Sequence, residues 1–441
     1  MKYRSILGRS SAATFREALL RGMAPDGSLY VPDHLPRLSP STLDRMRGLA
    51  LDGIGREIIA PYIDEVPPPD LLKIVRESWT FTIPLVHLEG SLYLLELFHG
   101  PTLAFKDVGA RFMAHILSYF SGKEERTVSI LVATSGDTGS AVAHGFFNLP
   151  HIQVYILYPA DKISRLQEQQ MTTLGGNVHA IEVDGTFDDC QRIVKQALAD
   201  RELVRVRNLT TANSINVGRL IPQIAYYAWA LVQLENQLKQ EGTAFSQRHG
   251  PVIVVPSGNF GNLTAAAYAK WMGIPIARFI AATNSNDVVP KYFQTGTLKA
   301  RPSLRTYSNA MDVGDPSNFA RLQMLYGFEL DRMRRDFEAT SISDEETLKE
   351  IRRTYETSGY ILDPHSAVGV AATRRNIESK GASSPFIIAA TAHPGKFPEV
   401  IERALGLQPE TPPPLQEALR RPKQSVRIPA TYENFASLLR S

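Results

Sequence analysis

Short apolar runs alternate with helical patterns through the middle and end of this 441-residue chain, and that alternation restricts its fold more than any other feature. "TVSILVA" (127–133), "QVYILYP" (153–159), "VHAIEVDG" (178–185), "PVIVVPS" (251–257), "ARFIAATN" (277–284) and "PFIIAAT" (385–391) read as buried strands. Between them stand helix candidates such as "SAVAHGFF", "SRLQEQQMTTLG", "DDCQRIVKQALAD" and "LTAAAYAKWMG". Strands that recur after helices predict an α/β protein with parallel, doubly wound sheets flanked by helices. The length exceeds what one hydrophobic core organises, so two or three units with a cleft between them are expected. Residues 1–80 read as a helical and loop-rich N-terminal region. Residues 81–109 and 206–400 read as a larger α/β domain, 110–205 as a smaller one, and 401–441 as a helical tail on the outside.

Composition narrows the partners. Forty-eight basic against forty-five acidic residues leave a net charge of +3, interspersed along the chain, so neither nucleic acid nor a membrane surface is expected as a partner. Cys190 is the single cysteine, which excludes an intramolecular disulfide and fits a reducing compartment. No apolar run reaches the roughly 18 to 20 residues of a membrane span, and the first residues lack a secretory apolar stretch, so a cytoplasmic protein is expected. His99, His365 and His393 sit in Gly/Pro turns without metal-ligand spacing, and no G-x-S-x-G elbow occurs. Neither a metal site nor a hydrolase triad is expected.

Three strand ends run into glycine-bearing turns and then helices: "ILVATSGDTGSA", "IVVPSGNFGNLTAA" and "IIAATAHPGKF". Ligands of open α/β sheets bind beyond the carboxyl ends of the strands, so these turns are expected to line one cleft. In "SGNFGN" (257–262), Gly258 and Gly261 permit close backbone approach, and a helix N-terminus follows. That combination suits a phosphate, although a tight turn with an Asn cap has the same spelling. In "TSGDTGS", Thr134, Ser135 and Thr138 offer hydroxyls suited to a small carboxylate, while Asp137 is also a natural helix cap. "NSINVGR" spaces Asn213, Asn216 and Arg219 by three, which suits a carboxylate or phosphomonoester and equally a solvated surface. Lys106, in "HGPTLAFKDVGARF", follows Phe105 at a helix start. Desolvation there would favour the neutral amine that imine chemistry needs, but a snorkelling lysine fits the same position.

The motifs "EALLRGMAPDGSLYVP", "HGPTLAFKD", "ATSGDTGSA", "NSIN", "SGNFGN", "ATNSND", "DPSNFAR", "DPHSAVG" and "TAHPGKF" follow one another in register over most of the chain. In this order they closely resemble the threonine synthase family, of the shorter type found in bacteria and fungi. The resemblance implies the tryptophan-synthase-β-like, fold type II architecture of pyridoxal-phosphate enzymes, with the larger domain binding the cofactor. It also implies a lyase of threonine biosynthesis converting O-phospho-L-homoserine and water to L-threonine and phosphate, as a monomer or homodimer.

Residue by residue, the resemblance carries the cofactor-bearing, proton-shuttling lysine onto Lys106. It carries the cofactor-phosphate loop onto Ser257, Gly258, Asn259, Phe260, Gly261 and Asn262, and the partner of the pyridine nitrogen onto Thr391. The substrate's two anionic ends are expected on Thr134, Ser135, Asp137 and Thr138 for the α-carboxylate, and on Asn213, Ser214, Asn216 and Arg219 for the phosphate. Val217 and Gly218 replace the Trp-Ala common in the family, and a wider pocket wall or a looser helix start is expected there. Two alternatives stand beside this reading: a related lyase of the same fold, such as a threonine dehydratase, and a non-catalytic pyridoxal-phosphate-binding protein. The "NSIN…R" segment distinguishes the first, and the whole constellation with Lys106 the second.

Overall fold

All six apolar runs are strands, and they divide between two sheets. The computed structural model describes residues 1–124, 126–134, 136–242, 250–382 and 384–440. The larger sheet has six strands in the order Phe337–Ser341, Arg278–Thr283, Val252–Pro256, Phe386–Ala390, Leu92–Glu96 and Leu85–Glu89. Only its edge pair, Leu85–Glu89 with Leu92–Glu96, is antiparallel. The smaller sheet is parallel throughout: Val426–Pro429, Val178–Asp184, Ile152–Pro159, Val128–Ala133 and Leu209–Thr211.

Parallel sheets covered on both faces need apolar side chains in both directions, which is why these strands read as unbroken runs. Val254 pairs with Ile280 on one side and Ile388 on the other. Ile253, Val255, Ile387 and Ala389 point into the main core, together with Ile130, Val132, Val154 and Ile156 of the smaller sheet. Val252, Val254, Ile280 and Ile388 point the other way, under Ala367, Val368 and Val370 of helix Pro364–Lys380. The main core therefore lies between the two sheets and includes Val108, Phe112 and Met113 of helix Lys106–Glu124. The far face of the smaller sheet packs Leu131, Leu157 and Ile181 on Cys190 and Ile193, with Phe435 and Leu439 from the tail.

Three features depart from the sequence expectations. The N-terminal region holds the expected helices but also an antiparallel pair, Tyr3–Ser5 with Tyr30–Pro32, too short to show a period. Leu209–Thr211, expected in the larger domain, pairs with Ser129–Leu131 of the smaller sheet. The tail is not helical alone: Val426–Pro429 forms an edge strand on Ile181–Asp184. Among the described residues, no helix is long and apolar enough to cross a membrane.

Candidate active site

The chain leaves strand Leu92–Glu96 into the "HGPTLAFKD" turn, where Leu103 takes a left-handed backbone with φ 58°. For a bulky residue this conformation is costly and persists only where its surroundings enforce it. Here Leu103 O accepts from His393 N at 3.1 Å, Phe105 N donates to Thr391 O at 2.9 Å, and Ala104 bridges Ala392. The lysine turn is thereby stitched to the end of strand Phe386–Ala390. Asp107 closes the turn from inside, accepting from Thr102 N at 2.8 Å and Thr102 Oγ1 at 2.7 Å, and burial lifts its carboxyl to about 6.

Lys106 opens helix Lys106–Glu124 and turns away from water. Its Nζ lies 3.6 Å from Asp137 Oδ2, at the first turn of helix Asp137–Phe146 on the smaller sheet. Burial depresses the Lys106 pKa, the nearby Lys396 and Arg219 push it the same way, and Asp137 opposes them. Burial pushes the Asp137 carboxyl up, but Lys396 and Lys106 outweigh it and hold the group below the ordinary carboxylate range. Lys396 Nζ, fully buried, donates to Asp137 Oδ1 at 2.7 Å and to Thr102 O at 2.9 Å. Gln167 Nε2 reaches the same Oδ1 at 3.1 Å. The sequence reading passed over Lys396 and Gln167, although Lys396 stands in the quoted strand-end turn "TAHPGKF".

The Gly/Asn loop forms the second part of the site. Ser257 N continues the sheet by donating to Ala282 O at 2.8 Å, and its hydroxyl turns back to Val255 O. A side chain at Gly258 would place Cβ 2.7 Å from Met311 Cα and 2.9 Å from Ala310 O, so only glycine lets the loop lie flat there. Phe260, at φ 61°, turns the chain into helix Gly261–Met272, whose N-terminus has no side-chain cap. Asn262 Oδ1 accepts from both Tyr226 and Tyr227 hydroxyls, leaving its buried Nδ2 without a hydrogen-bond partner among the described residues. An uncapped helix start beside an unspent buried amide suits a phosphate, so these residues fit pyridoxal phosphate. Gly258→Ala is expected to weaken cofactor affinity by roughly tenfold or more, since a displaced loop loses charge-assisted contacts. Titration of apoprotein with pyridoxal phosphate measures this, and an unchanged affinity would refute the loop assignment.

The structure distributes the expected substrate residues unevenly. Thr138 is half-buried on the helix start, and Ser135 lies outside the described residues. Thr134 Oγ1 is spent within its own turn, accepting from Gly136 N and Gly139 N at 2.9 Å. Asp137 neither caps its helix nor offers a donor to a carboxylate; its charge is matched by the two lysines. Asn213 Nδ2 binds Ala133 O, tying this segment to the neighbouring strand end. Asn216 is a structural clamp: Nδ2 donates to Leu19 O and Thr211 O, and Oδ1 accepts from Gly218 N, all at 2.9 Å. Ser214 Oγ accepts from Asn259 Nδ2 at 2.5 Å, which joins "NSIN" to the Gly/Asn loop. Arg219 is buried, donates through Nη1 to Ala212 O, and keeps an Nε without a partner among the described residues. Burial lowers its pKa to about 10.

Val217 and Gly218 open the short helix Val217–Leu220. Both are buried, and a Cβ at Gly218 would meet Leu19 Cδ1 at 2.3 Å, so the small residue serves packing against helix Phe15–Arg21. A cavity of about 770 Å³ elsewhere, lined among others by Phe120, Leu198 and Arg201, shares no residue with the strand-end turns.

This geometry agrees with what the chain is similar to. Residues 80–389 match the family model "Pyridoxal-phosphate dependent enzyme", residues 2–79 "Threonine synthase N terminus" and residues 366–438 "Threonine synthase, C-terminal". A threonine synthase of Escherichia coli (strain K12) is 40% identical over 442 residues, covering 100% of this chain and 99% of the relative. The crystal structure of threonine synthase from Escherichia coli superposes with a TM-score of 0.90 at 39% identity, covering 100% of this chain and 99% of that one. The pyridoxal-phosphate-bound threonine synthase of Brucella melitensis gives 0.92 at 33% identity, again over 100% and 99% of the two chains. A carboxylate-flanked lysine and an uncapped glycine loop at strand ends of one sheet, in a chain matched along nearly its whole length, lead to one conclusion: the protein belongs to the threonine synthase family of pyridoxal-phosphate-dependent enzymes.

Proposed function

We propose that the chain converts O-phospho-L-homoserine and water to L-threonine and phosphate, with Lys106 as its proton-carrying amine. One observation carries this reading: an amine withdrawn from water and facing a carboxylate stands in the same set of strand ends as an uncapped helix N-terminus. Ser257 to Asn262 would hold the cofactor's phosphate, Thr391 would meet its ring nitrogen, and Lys106 would bond its aldehyde carbon. When bound, pyridoxal phosphate draws electron density from the substrate's Cα and so makes the hydrogens at Cα and then Cβ removable.

The chain's own residues do the rest. Lys106 Nζ takes the proton from Cα and supplies protons in return, and Asp137 stabilises the ammonium that forms. One proton leaves Cα and one Cβ, phosphate departs from Cγ, the hydroxyl of water joins Cβ while its remaining proton goes to the released phosphate, and protons return to Cγ and Cα. Thr138, half-buried at the start of helix Asp137–Phe146, takes the α-carboxylate, while Ser214 and Arg219 take the phosphate. The Nε of buried Arg219, without a partner among the described residues, supports that division. A cytoplasmic setting suits the single buried Cys190.

Purified, cofactor-loaded protein incubated with phosphohomoserine should release phosphate and form threonine in equal amounts. Absence of both would overturn the reading; ammonia and 2-oxobutanoate from threonine instead would favour the dehydratase. Arg219→Ala is expected to raise KM for phosphohomoserine by roughly ten- to a hundredfold, the worth of a lost charge-assisted pair. The cofactor should remain bound with its visible absorbance kept, and the pH midpoint of that absorbance should rise because a cation acting on Lys106 is lost. Loss of the spectrum would move Arg219 from the substrate to the cofactor.

A further inference from the structure

We infer that Lys396 is a positioning residue for Lys106: from the turn after strand Phe386–Ala390 it holds Asp137 of the smaller sheet in place at the Lys106 amine. This rests on the assignment of Lys106 above. Lys396 lies fully buried, with its ammonium donating to Asp137 Oδ1 and to Thr102 O. Thr102 belongs to the turn that delivers Lys106, so one ammonium ties the lysine turn of the larger sheet to a helix of the smaller one.

Stability alone does not account for a lysine there. Taking a buried ammonium and carboxylate out of water costs about what their attraction returns, so an apolar pair in place of Lys396 and Asp137 would serve packing as well. The arrangement is instead asymmetric around Asp137. Oδ1 takes both fixed donors, Lys396 and Gln167, while Oδ2 faces Lys106 at 3.6 Å, just beyond a hydrogen bond. Two donors on one oxygen fix the plane of the carboxylate and present its other oxygen to the amine.

The charges make this placement useful. The charges that act on Lys106 are Asp137 at the start of helix Asp137–Phe146, Arg219 after "NSIN" and Lys396 from the strand-end turn, and Lys396 in turn faces Asp107 on the helix of Lys106, His144 and His393. Burial holds His144 near 4 and lowers His393, so both are uncharged near neutrality. Asp107 is engaged by Thr102. Arg219 and Lys396 remain as the cations that lower Lys106, against Asp137 alone. Whenever Lys106 is uncharged, Lys396 still balances Asp137, so the carboxylate stays ionised and does not compete for the proton Lys106 must carry.

The test uses the cofactor-loaded full chain and follows the pH midpoint of its visible absorbance change, which reports protonation of the nitrogen joining Lys106 to the cofactor. Lys396→Met removes a cation and is expected to raise that midpoint by about one unit, whereas Asp137→Asn lowers it. Lys396→Arg should stay within about 0.3 unit of the wild type, because charge and donors are kept. Lys396→Met should also lower kcat by roughly tenfold or more, with KM changed by less than about threefold. A Lys396→Met midpoint that does not move, or moves in the same direction as that of Asp137→Asn, overturns the inference. Should Lys396→Met fail to fold, Lys396→Gln, which keeps a donor for Thr102 O, is judged by the same criterion. Borohydride reduction and peptide mapping separate the two levels. An adduct on a lysine other than Lys106 overturns the underlying assignment, whereas an adduct on Lys106 with an unmoved midpoint overturns only the role of Lys396.

Discussion

Lys106→Ala is expected to lower kcat by roughly a thousandfold or more while leaving a folded protein that still binds pyridoxal phosphate without a covalent link. The chain loses its proton carrier and its attachment atom together, but not the Gly/Asn loop, whose contacts do not involve Lys106. Folding should survive because Asp137 keeps Lys396 and Gln167 as partners, so no buried charge is orphaned. A small primary amine supplied in solution should restore part of the rate, since the truncated side chain leaves room beside Asp137. Borohydride trapping and rate measurements in the presence of added amines check both parts. A variant that keeps more than about a tenth of the wild-type rate would rule out Lys106 as the base.

Arg321→Met should be the most destabilising single change outside the site, costing roughly 3 kcal/mol or more. Arg321, in "DPSNFAR", is buried and, among the described residues, makes no acidic contact that would place it in an ordinary ion pair. Its Nε and Nη2 donate to Tyr30 O at 3.1 and 2.9 Å, Nη2 also to Ile215 O at 2.7 Å, and Nη1 to Asn318 Oδ1. One guanidinium thus joins the N-terminal strand pair to the "NSIN" segment and to Asn318 at the start of its own helix, Phe319–Leu325. Methionine fills much of the volume but leaves those carbonyls buried without donors, which costs more than the hydrogen bonds themselves contributed. Denaturant unfolding of the two proteins measures the difference, and a loss under about 0.5 kcal/mol would refute the account. The substrate KM should rise as well, because Ile215 adjoins Ser214 and the clamp at Asn216.

Much of the architecture was readable because burial on both faces leaves a local mark. Runs such as "VIVVP" and "FIIAA" are unbroken only where both sides are covered, and each matches a strand within a residue or two. Tyr3–Ser5, Leu209–Thr211 and Val426–Pro429 escaped because three or four residues carry too short a pattern, and their partners lie far along the chain. Leu209–Thr211 pairs with residues some eighty positions earlier, so its sheet is set by a contact no local composition records.

The site divides the same way. Lys106 and the loop Ser257–Asn262 stand out in the sequence because glycines and an amine beside a strand end are unusual locally. Asn213, Asn216 and Thr134 carry the same polar spelling, yet their polar atoms are taken by Ala133 O, Leu19 O and amides of the 134–139 turn. Lys396 was overlooked for the converse reason: a lysine in "HPGKF" has the composition of a surface turn, and only packing buries it against Asp137. By itself the sequence determined the parallel α/β class, the strand-end turns and the family, since these rest on short-range pattern and motif order. Which polar groups remain free to bind and which are consumed by the fold, and that two lysines share one carboxylate, the tertiary structure alone decided, because hydrogen-bond capacity is spent between segments distant in the chain.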